Sequence, residues 1–309
     1  MDLDEGAQRA MDFFRASGRP RFETISPAEA RAIYNEMTPQ LQPEPAAVTE
    51  VRDLTAPGPA GPIKLRYYRG ADAAGALPAM IYFHGGGWLL GDLDSHDGIC
   101  RQIASVAGAV VVSVDYALAP EAKFPRAVED AAAATRFVFD NAVALGIDPA
   151  NVAVGGDSAG GNLAAVMALM ARDGDLPPLA FQLLIYPVTD TSLTQPSYAS
   201  MAEGYALTTP TMAWFRDHYL RDAKDIEDWR ASPLRARSLA GVAPAYVISA
   251  AYDPLCDEAV DYARRLQQEG VPVTHRHFPD QMHGYVSMGG MIPAATATIV
   301  AALCHWPRQ

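Results

Sequence analysis

The chain has 309 residues, is 50% hydrophobic and carries 24 glycines and 24 prolines. That composition excludes a disordered segment or a fibrous repeat and suits one elaborated domain with a large core. Its 36 acidic against 24 basic side chains leave a net charge of −12, which repels nucleic-acid phosphates and anionic lipid, so neither kind of partner is expected. The three cysteines, Cys100, Cys256 and Cys304, are odd in number and have no paired spacing, as expected of reduced thiols in a cytosol rather than of a disulfide framework.

Taken in chain order, Met1 to Glu5 is acidic and lacks the basic flank and apolar stretch of a secretory signal, which predicts a cytoplasmic protein. The residues up to about Ala46 read as helical, with no strand. Two strands follow, near Thr49 to Arg52 and Ile63 to Tyr68. The Pro/Gly-rich link Ala56 to Pro62 is too short for a crossover helix, so these two are predicted to be antiparallel. Apolar, β-rich runs then recur at Ala79 to Phe83, Val110 to Val114, Val152 to Val154, Phe181 to Tyr186, Ala245 to Ser249 and Val271 to Phe278. Helical patterns lie between them at about Ile99 to Val106, Pro125 to Leu145, Ala159 to Arg172 and Asp257 to Gln268. This alternation predicts an α/β fold, with a mainly parallel sheet covered by helices on both faces, in a single domain over residues 1–309.

The aromatic-rich stretch from about Asp190 to Ser232 breaks the alternation. Together with residues 1–46 it is expected to form a helical cap beyond the carboxyl ends of the strands, where open α/β sheets bind ligands. The apolar stretch Met291 to Cys304 contains Pro293 and falls short of the roughly 20 residues that cross a bilayer, so it is read as a final packed helix and no membrane span is expected.

Two motifs carry chemistry. His84, Gly85, Gly86, Gly87 and Trp88 directly follow a strand, and consecutive glycines there let backbone N–H groups point inward at an oxyanion. Gly156, Asp157, Ser158, Ala159 and Gly160 lie between a strand and an alanine-rich helix. A serine at the apex of such a turn holds a strained backbone, the small residues on either side relieve clashes, and its Oγ is presented as a nucleophile. The amide of Ala159 is then the second oxyanion donor, reinforced by the dipole of the helix it opens.

These motifs, with Asp-Tyr-Ala-Leu-Ala-Pro-Glu at Asp115 to Glu121 between them, resemble the bacterial carboxylesterases of the hormone-sensitive lipase family, from about residue 30 to about residue 305. The resemblance implies an α/β-hydrolase fold with a helical cap and a Ser-Asp-His triad. It also implies hydrolysis of carboxylic esters with small acyl groups and no cofactor. In chain order the acid should follow the serine and the histidine should come last. Asp253, just past the strand Ala245 to Ser249, resembles the family's acid-bearing position. Asp257 and Glu258 are rivals, but they begin the next helix, where capping and the dipole account for acidic residues. His283 lies on a loop after the last strand and a turn at Pro279 and Asp280, within reach of Ser158.

His275 and His277 share a strand face and have the spacing for a metal, yet no further ligand cluster accompanies them, so no metal is expected. His84, His96, His218 and His305 are read as structural. Trp88, Tyr205, Leu207, Met212, Trp214 and Phe215 are candidate pocket walls, either on the glycine loop or in the cap.

The chain departs from the family where Ala117 and Cys256 stand in place of its usual arginines, leaving Glu121 and Asp257 to find other partners and placing beside the acid loop a thiol through which bulky reagents are expected to affect activity. Two other readings stand beside the esterase: a non-catalytic small-molecule receptor on the same fold, and another acyl-transfer hydrolase such as an amidase or thioesterase. Relatives often pair through the last strand and helix, so a homodimer through Val271 to Phe278 and Met291 to Cys304 is a further expectation.

Overall fold

Val110, Val112 and Val114 belong to one buried cluster and Val111 to another, and the same split separates Ile81 from Tyr82 and Val154 from Ala153. Successive strand side chains point to opposite faces, so a nearly continuous apolar run, here broken only by buried Ser113, marks a strand covered on both sides. The computed structural model describes residues 2–72, 75–201 and 203–306. In it these runs form the middle of a sheet with eight strands among the described residues.

The strands are β1 (Glu50–Gly58), β2 (Gly61–Arg69), β3 (Leu77–Phe83), β4 (Val110–Asp115), β5 (Ile147–Asp157), β6 (Phe181–Ile185), β7 (Ala245–Tyr252) and β8 (Val273–Met282). Their spatial order is β1-β2-β4-β3-β5-β6-β7-β8. β2 pairs antiparallel with both β1 and β4, as the short link required for the first pair, and the pairs from β4 to β8 are parallel. The helices α3 (Asp97–Ala107) and α10 (Pro293–Leu303) pack on one face with α1 (Glu5–Ala16). The other face is covered by α4 (Arg126–Asp140), α6 (Ala159–Arg172) and α9 (Cys256–Gln268).

Four expected boundaries move. β1 runs past Arg52 to Gly58 and β2 begins at Gly61, so most of the expected link Ala56 to Pro62 is paired strand and only Pro59 and Ala60 turn the chain. The helix predicted over 125–145 stops at Asp140, Asn141 turns its side-chain amide back onto the Phe137 carbonyl at 2.8 Å, and a short α5 (Ala142–Leu145) follows until Gly146 ends it in the left-handed conformation. β5 extends well past the run Val152 to Val154, because Gly155, Gly156 and Asp157 stay paired with Leu183, Leu184 and Ile185 of β6. No turn interrupts Pro279 and Asp280. β8 continues to Met282 through a register shift opposite Ala250 to Tyr252, and Pro279 is tolerated because β8 is an edge strand, where a missing N–H leaves no partner unpaired.

Of the two stretches outside the alternation, the first holds α1 and α2 (Pro27–Leu41). α2 opens with Ser26 and Glu29 bonding each other's backbone reciprocally and with Pro27 at its first position. The second stretch holds α7 (Pro196–Ser200) and α8 (Thr209–Tyr219). Tyr219 of α8 stacks on Trp88 with ring centres 4.1 Å apart, and its carbonyl accepts the Phe124 N–H at 2.8 Å, which fixes this helix over the ends of β3 and β4.

Candidate active site

β3 lies between β4 and β5, so the chain leaves β3 on one side and returns on the other, and a crevice opens at the strands' carboxyl ends. Phe83 is registered against Gly156, which brings the segments after β3 and β5 side by side. Ser158 holds φ 56° and ψ −118° between β5 and α6, a conformation that costs a non-glycine residue on the order of 1–3 kcal/mol and is retained where the surrounding structure enforces it. The enforcement is visible. A Cβ on Gly160 would strike the Phe83 carbonyl, and one on Gly156 would strike Gly160. The backbone of Ser158 is tied to Ile185 through its N–H at 2.9 Å and to Asn162 and Val188 through its carbonyl at 3.0 and 3.2 Å.

The ends of β7 and β8 bring the other two groups. Asp253 is fully buried and its Oδ1 accepts the Leu255 N–H at 2.8 Å. Its Oδ2 stands 2.7 Å from His283 Nδ1, and His283 Nε2 stands 3.0 Å from Ser158 Oγ. The three residues expected from the sequence thus form one continuous hydrogen-bonded line. The rival carboxylates are occupied elsewhere. Asp257 accepts the Ser197 N–H at 2.8 Å. Glu258 is buried against the N–H groups of Thr189 and Asp190 and the hydroxyl of Tyr198, and burial raises its carboxyl well above the usual range. Glu258 therefore holds the 189–198 segment onto α9, a larger role than capping α9 alone.

The glycine loop after β3 is tied to the serine turn by Asp157, a link the sequence did not reveal. Asp157 Oδ1 accepts the Gly85 N–H at 3.0 Å and the Tyr82 hydroxyl at 2.8 Å, with His96 Nε2 at 3.3 Å. Burial by itself would raise this carboxyl, but the His96 imidazole and the Tyr82 hydroxyl outweigh it and hold it below its ordinary value. His84 is also buried, stacked on Tyr116 at 4.3 Å, and burial followed by the neighbouring His96 pushes its imidazole down to about 4, so it is neutral at ordinary pH. Gly86 and Gly87 have φ of 115° and 61°, and a Cβ on Gly87 would overlap the Phe215 ring. Glycine is required there on both counts.

A cavity of about 130 Å³ opens onto Ser158, His283, Gly86 and Gly87. Leu207, Met212 and Phe215 line it as expected, whereas Trp88, Tyr205 and Trp214 do not. Trp88 has φ 60°, and its ring turns away into the stack with Tyr219. Trp214 packs on Phe215 and His218 behind the wall, and Tyr205 packs at a tilt on Tyr252 beside a neighbouring groove. Much of the wall instead comes from the N-terminal segment, through Phe14, Phe22, Tyr34, Met37 and Leu41. The i, i+3, i+7 spacing of Tyr34, Met37 and Leu41 on α2 is the signal that would have pointed to a shared face. Tyr186, whose ring lies 4.6 Å from that of His283, was also not anticipated.

His275 Nε2 and His277 Nδ1 lie 2.8 and 3.0 Å from the same Ser249 hydroxyl. No group of three metal-ligating side chains occurs among the described residues.

Both carboxylates left by the missing arginines have partners, Asp257 the Ser197 N–H and Glu121 an arginine from elsewhere. Arg31 of α2 reaches Glu121 at 2.7 Å and also binds the carbonyls of Leu89 and Ala119, bracing the glycine loop. At the other position Cys256 is partly buried, and burial followed by Asp253 and Asp257 pushes its thiol up to about 12. The thiolate is the reacting form, so Cys256 is expected to react slowly. With a bulky maleimide at neutral pH, exposed Cys304 is expected to label first and Cys256 at least ~10-fold more slowly. Peptide mass spectrometry over time reads the order, and equal rates would contradict this placement.

The α/β-hydrolase-fold family model matches residues 80–287. The chain belongs to the hormone-sensitive lipase family of α/β-hydrolases. It is 44% identical to the carboxylic ester hydrolase LipN of Mycobacterium tuberculosis over 90% of this chain and 75% of that protein. It is 39% identical to an ethyl acetate hydrolase of Pseudomonas putida over 88% of this chain and 87% of that one. Among solved structures, a mutant α/β-hydrolase from the metagenome of Lake Arreo in Spain superposes with a TM-score of 0.94 at 40% identity, covering 97% and 96% of the two chains. A thermostable esterase from Pseudomonas putida does so with a TM-score of 0.94 at 38% identity, covering 100% and 99%.

Proposed function

We propose that this carboxylic ester hydrolase uses Ser158 as nucleophile, His283 as general base and acid, and Asp253 as the group that orients His283. The observation that carries this reading is the unbroken line from Asp253 Oδ2 through the two ring nitrogens of His283 to Ser158 Oγ, at 2.7 and 3.0 Å. With Nδ1–H donating to Asp253, Nε2 is left to take the Ser158 proton as Oγ attacks the ester carbonyl carbon. The N–H groups of Gly86, Gly87 and Ala159 hold the tetrahedral oxyanion, and no backbone acceptor among the described residues engages those of Gly86 and Gly87. Collapse breaks the bond to the alcohol oxygen, which receives the proton from His283 and leaves an acyl-serine. A water deprotonated by His283 then attacks that acyl group, and the second collapse returns the proton to Ser158 Oγ and frees the acid.

In this reading the segments 1–46 and about 190–232 act as the cap, since Tyr34, Met37, Leu41, Leu207, Met212 and Phe215 close the cavity beside Ser158. A cavity of this size is close to the 150 Å³ site that holds benzene, so acyl groups of a few carbons fit best. A p-nitrophenyl ester series from acetate to laurate, run beside an anilide and a thioester, tests the assignment. The highest kcat/KM is expected on the short esters. Faster cleavage of the anilide or thioester would move the assignment to another acyl-transfer hydrolase, and no turnover of any compound would favour a receptor. The triad arrangement argues against the receptor.

Three unpaired cysteines fit a cytoplasmic setting, and no helix among the described residues is long and apolar enough to cross a membrane. β8 stands at the sheet edge with Arg276 and His277 exposed, the strand through which a homodimer would add its partner. A light-scattering mass of one chain would refute the dimer.

A further inference from the structure

Four arginines, Arg9, Arg15, Arg19 and Arg21, crowd a short N-terminal stretch of a chain whose net charge is −12. Arg15 pairs with Asp12 at 3.0 Å, and Arg21 pairs with Glu23 at 2.6 Å and more loosely with Glu203 at 3.7 Å. Arg19 differs. Its guanidinium lies 4.7 Å from the ring centre of Phe14 and 5.1 Å from that of Phe22, and it meets no carboxylate among the described residues. Burial lowers its pKa with no carboxylate to raise it, whereas Arg66 and Arg230 are raised by the aspartates they bond. Arg19, Phe14 and Phe22 line the same cavity as Ser158 and His283, and the three also line the groove that adjoins it. A guanidinium drawn partly out of water has a reason to be there when an anion completes it.

We propose that Arg19 is a specificity-determining residue that receives the carboxylate of an ester substrate carrying a free acid group, on either its acyl or its alcohol side, while the ester carbonyl lies at Ser158. The inference rests on the esterase reading above and narrows its substrate class. A planar carboxylate matches the guanidinium fork through two parallel N–H···O bonds, and the flanking rings of Phe14 and Phe22 hold that fork in place. The largely apolar remainder of the cavity takes the short methylene chain that separates acid from ester.

The test uses two pairs of esters with the intact protein: monoethyl glutarate against ethyl hexanoate for the acyl side, and 4-acetoxybutyrate against butyl acetate for the alcohol side. Released ethanol or acetate is followed by proton NMR. In Arg19→Gln the ratio of anionic to neutral kcat/KM is expected to fall about 10- to 100-fold in at least one pair, as loss of a charge-assisted hydrogen bond implies. The loss should lie mainly in KM, and Arg19→Lys should recover part of it. Equal fold-changes for charged and neutral esters in both pairs would overturn the proposal. So would wild-type protein that cleaves the neutral esters and leaves both anionic ones intact. If the neutral esters also go uncleaved, the esterase reading fails first and takes this one with it.

Discussion

Ser158→Ala is expected to lower kcat on a short-chain ester by about 10⁵- to 10⁶-fold, the scale seen when a triad serine is removed and only binding and oxyanion stabilisation are left. The fold should survive. Ser158 contributes its hydroxyl to a single side-chain contact, the one with His283 Nε2 at 3.0 Å, while its strained backbone is held by Gly156, Gly160 and the carbonyl of Ile185. Alanine accepts that backbone no worse than serine does. Circular dichroism and thermal unfolding should therefore match the parent protein, with KM for the ester little changed. Turnover within 10-fold of the parent would remove Ser158 as nucleophile.

Asp253→Asn is expected to reduce kcat by roughly 10⁴-fold, and the local hydrogen bonds say why. Oδ1 of Asp253 is already committed to the Leu255 N–H at 2.8 Å, so in the variant the carbonyl oxygen keeps that place and the amide NH₂ turns toward His283. An N–H donor facing Nδ1 selects the ring tautomer with its proton on Nε2. That nitrogen can then no longer accept the proton of Ser158. Because the acid is fully buried, a stability measurement must accompany the assay. A stable, folded variant with nearly full activity would transfer the orienting role to another carboxylate. Asp257→Asn offers the contrast: its carboxylate bonds the Ser197 N–H on α7, so its effect should be mainly on stability.

The hydrogen-bonded line of Ser158, His283 and Asp253 was legible because each member directly follows a strand, although only the serine sits in a motif dictated by local backbone demands, and Asp253 was placed by its family resemblance. Gly156 and Gly160 are needed by the turn itself, whatever the remainder of the chain does. The central sheet was legible for a related reason, since strands buried on both faces are apolar at nearly every position, Ser113, Gln182 and Ser249 excepted. What was missed depends on contacts distant in sequence. The face of α2 that carries Tyr34, Met37 and Leu41 looks merely amphipathic until the cavity it covers is known. Trp88 stays out of the cavity because its positive φ sends the ring away from the serine and onto Tyr219, more than a hundred residues along the chain. Asp157 was recognised only as part of the serine motif. Its bond to the Gly85 N–H, which joins the two halves of the site, arises from the parallel register of β3 and β5.

The most direct test of the central claim is a crystal structure of the protein inactivated by a short-chain p-nitrophenyl phosphonate. The expected result is a single covalent adduct on Ser158 Oγ, with the phosphoryl oxygen about 2.7–3.1 Å from the N–H groups of Gly86, Gly87 and Ala159 and the alkyl group in the cavity lined by Leu207, Met212 and Phe215. An adduct on any other residue, or a phosphoryl oxygen directed away from those three amides, would contradict the account.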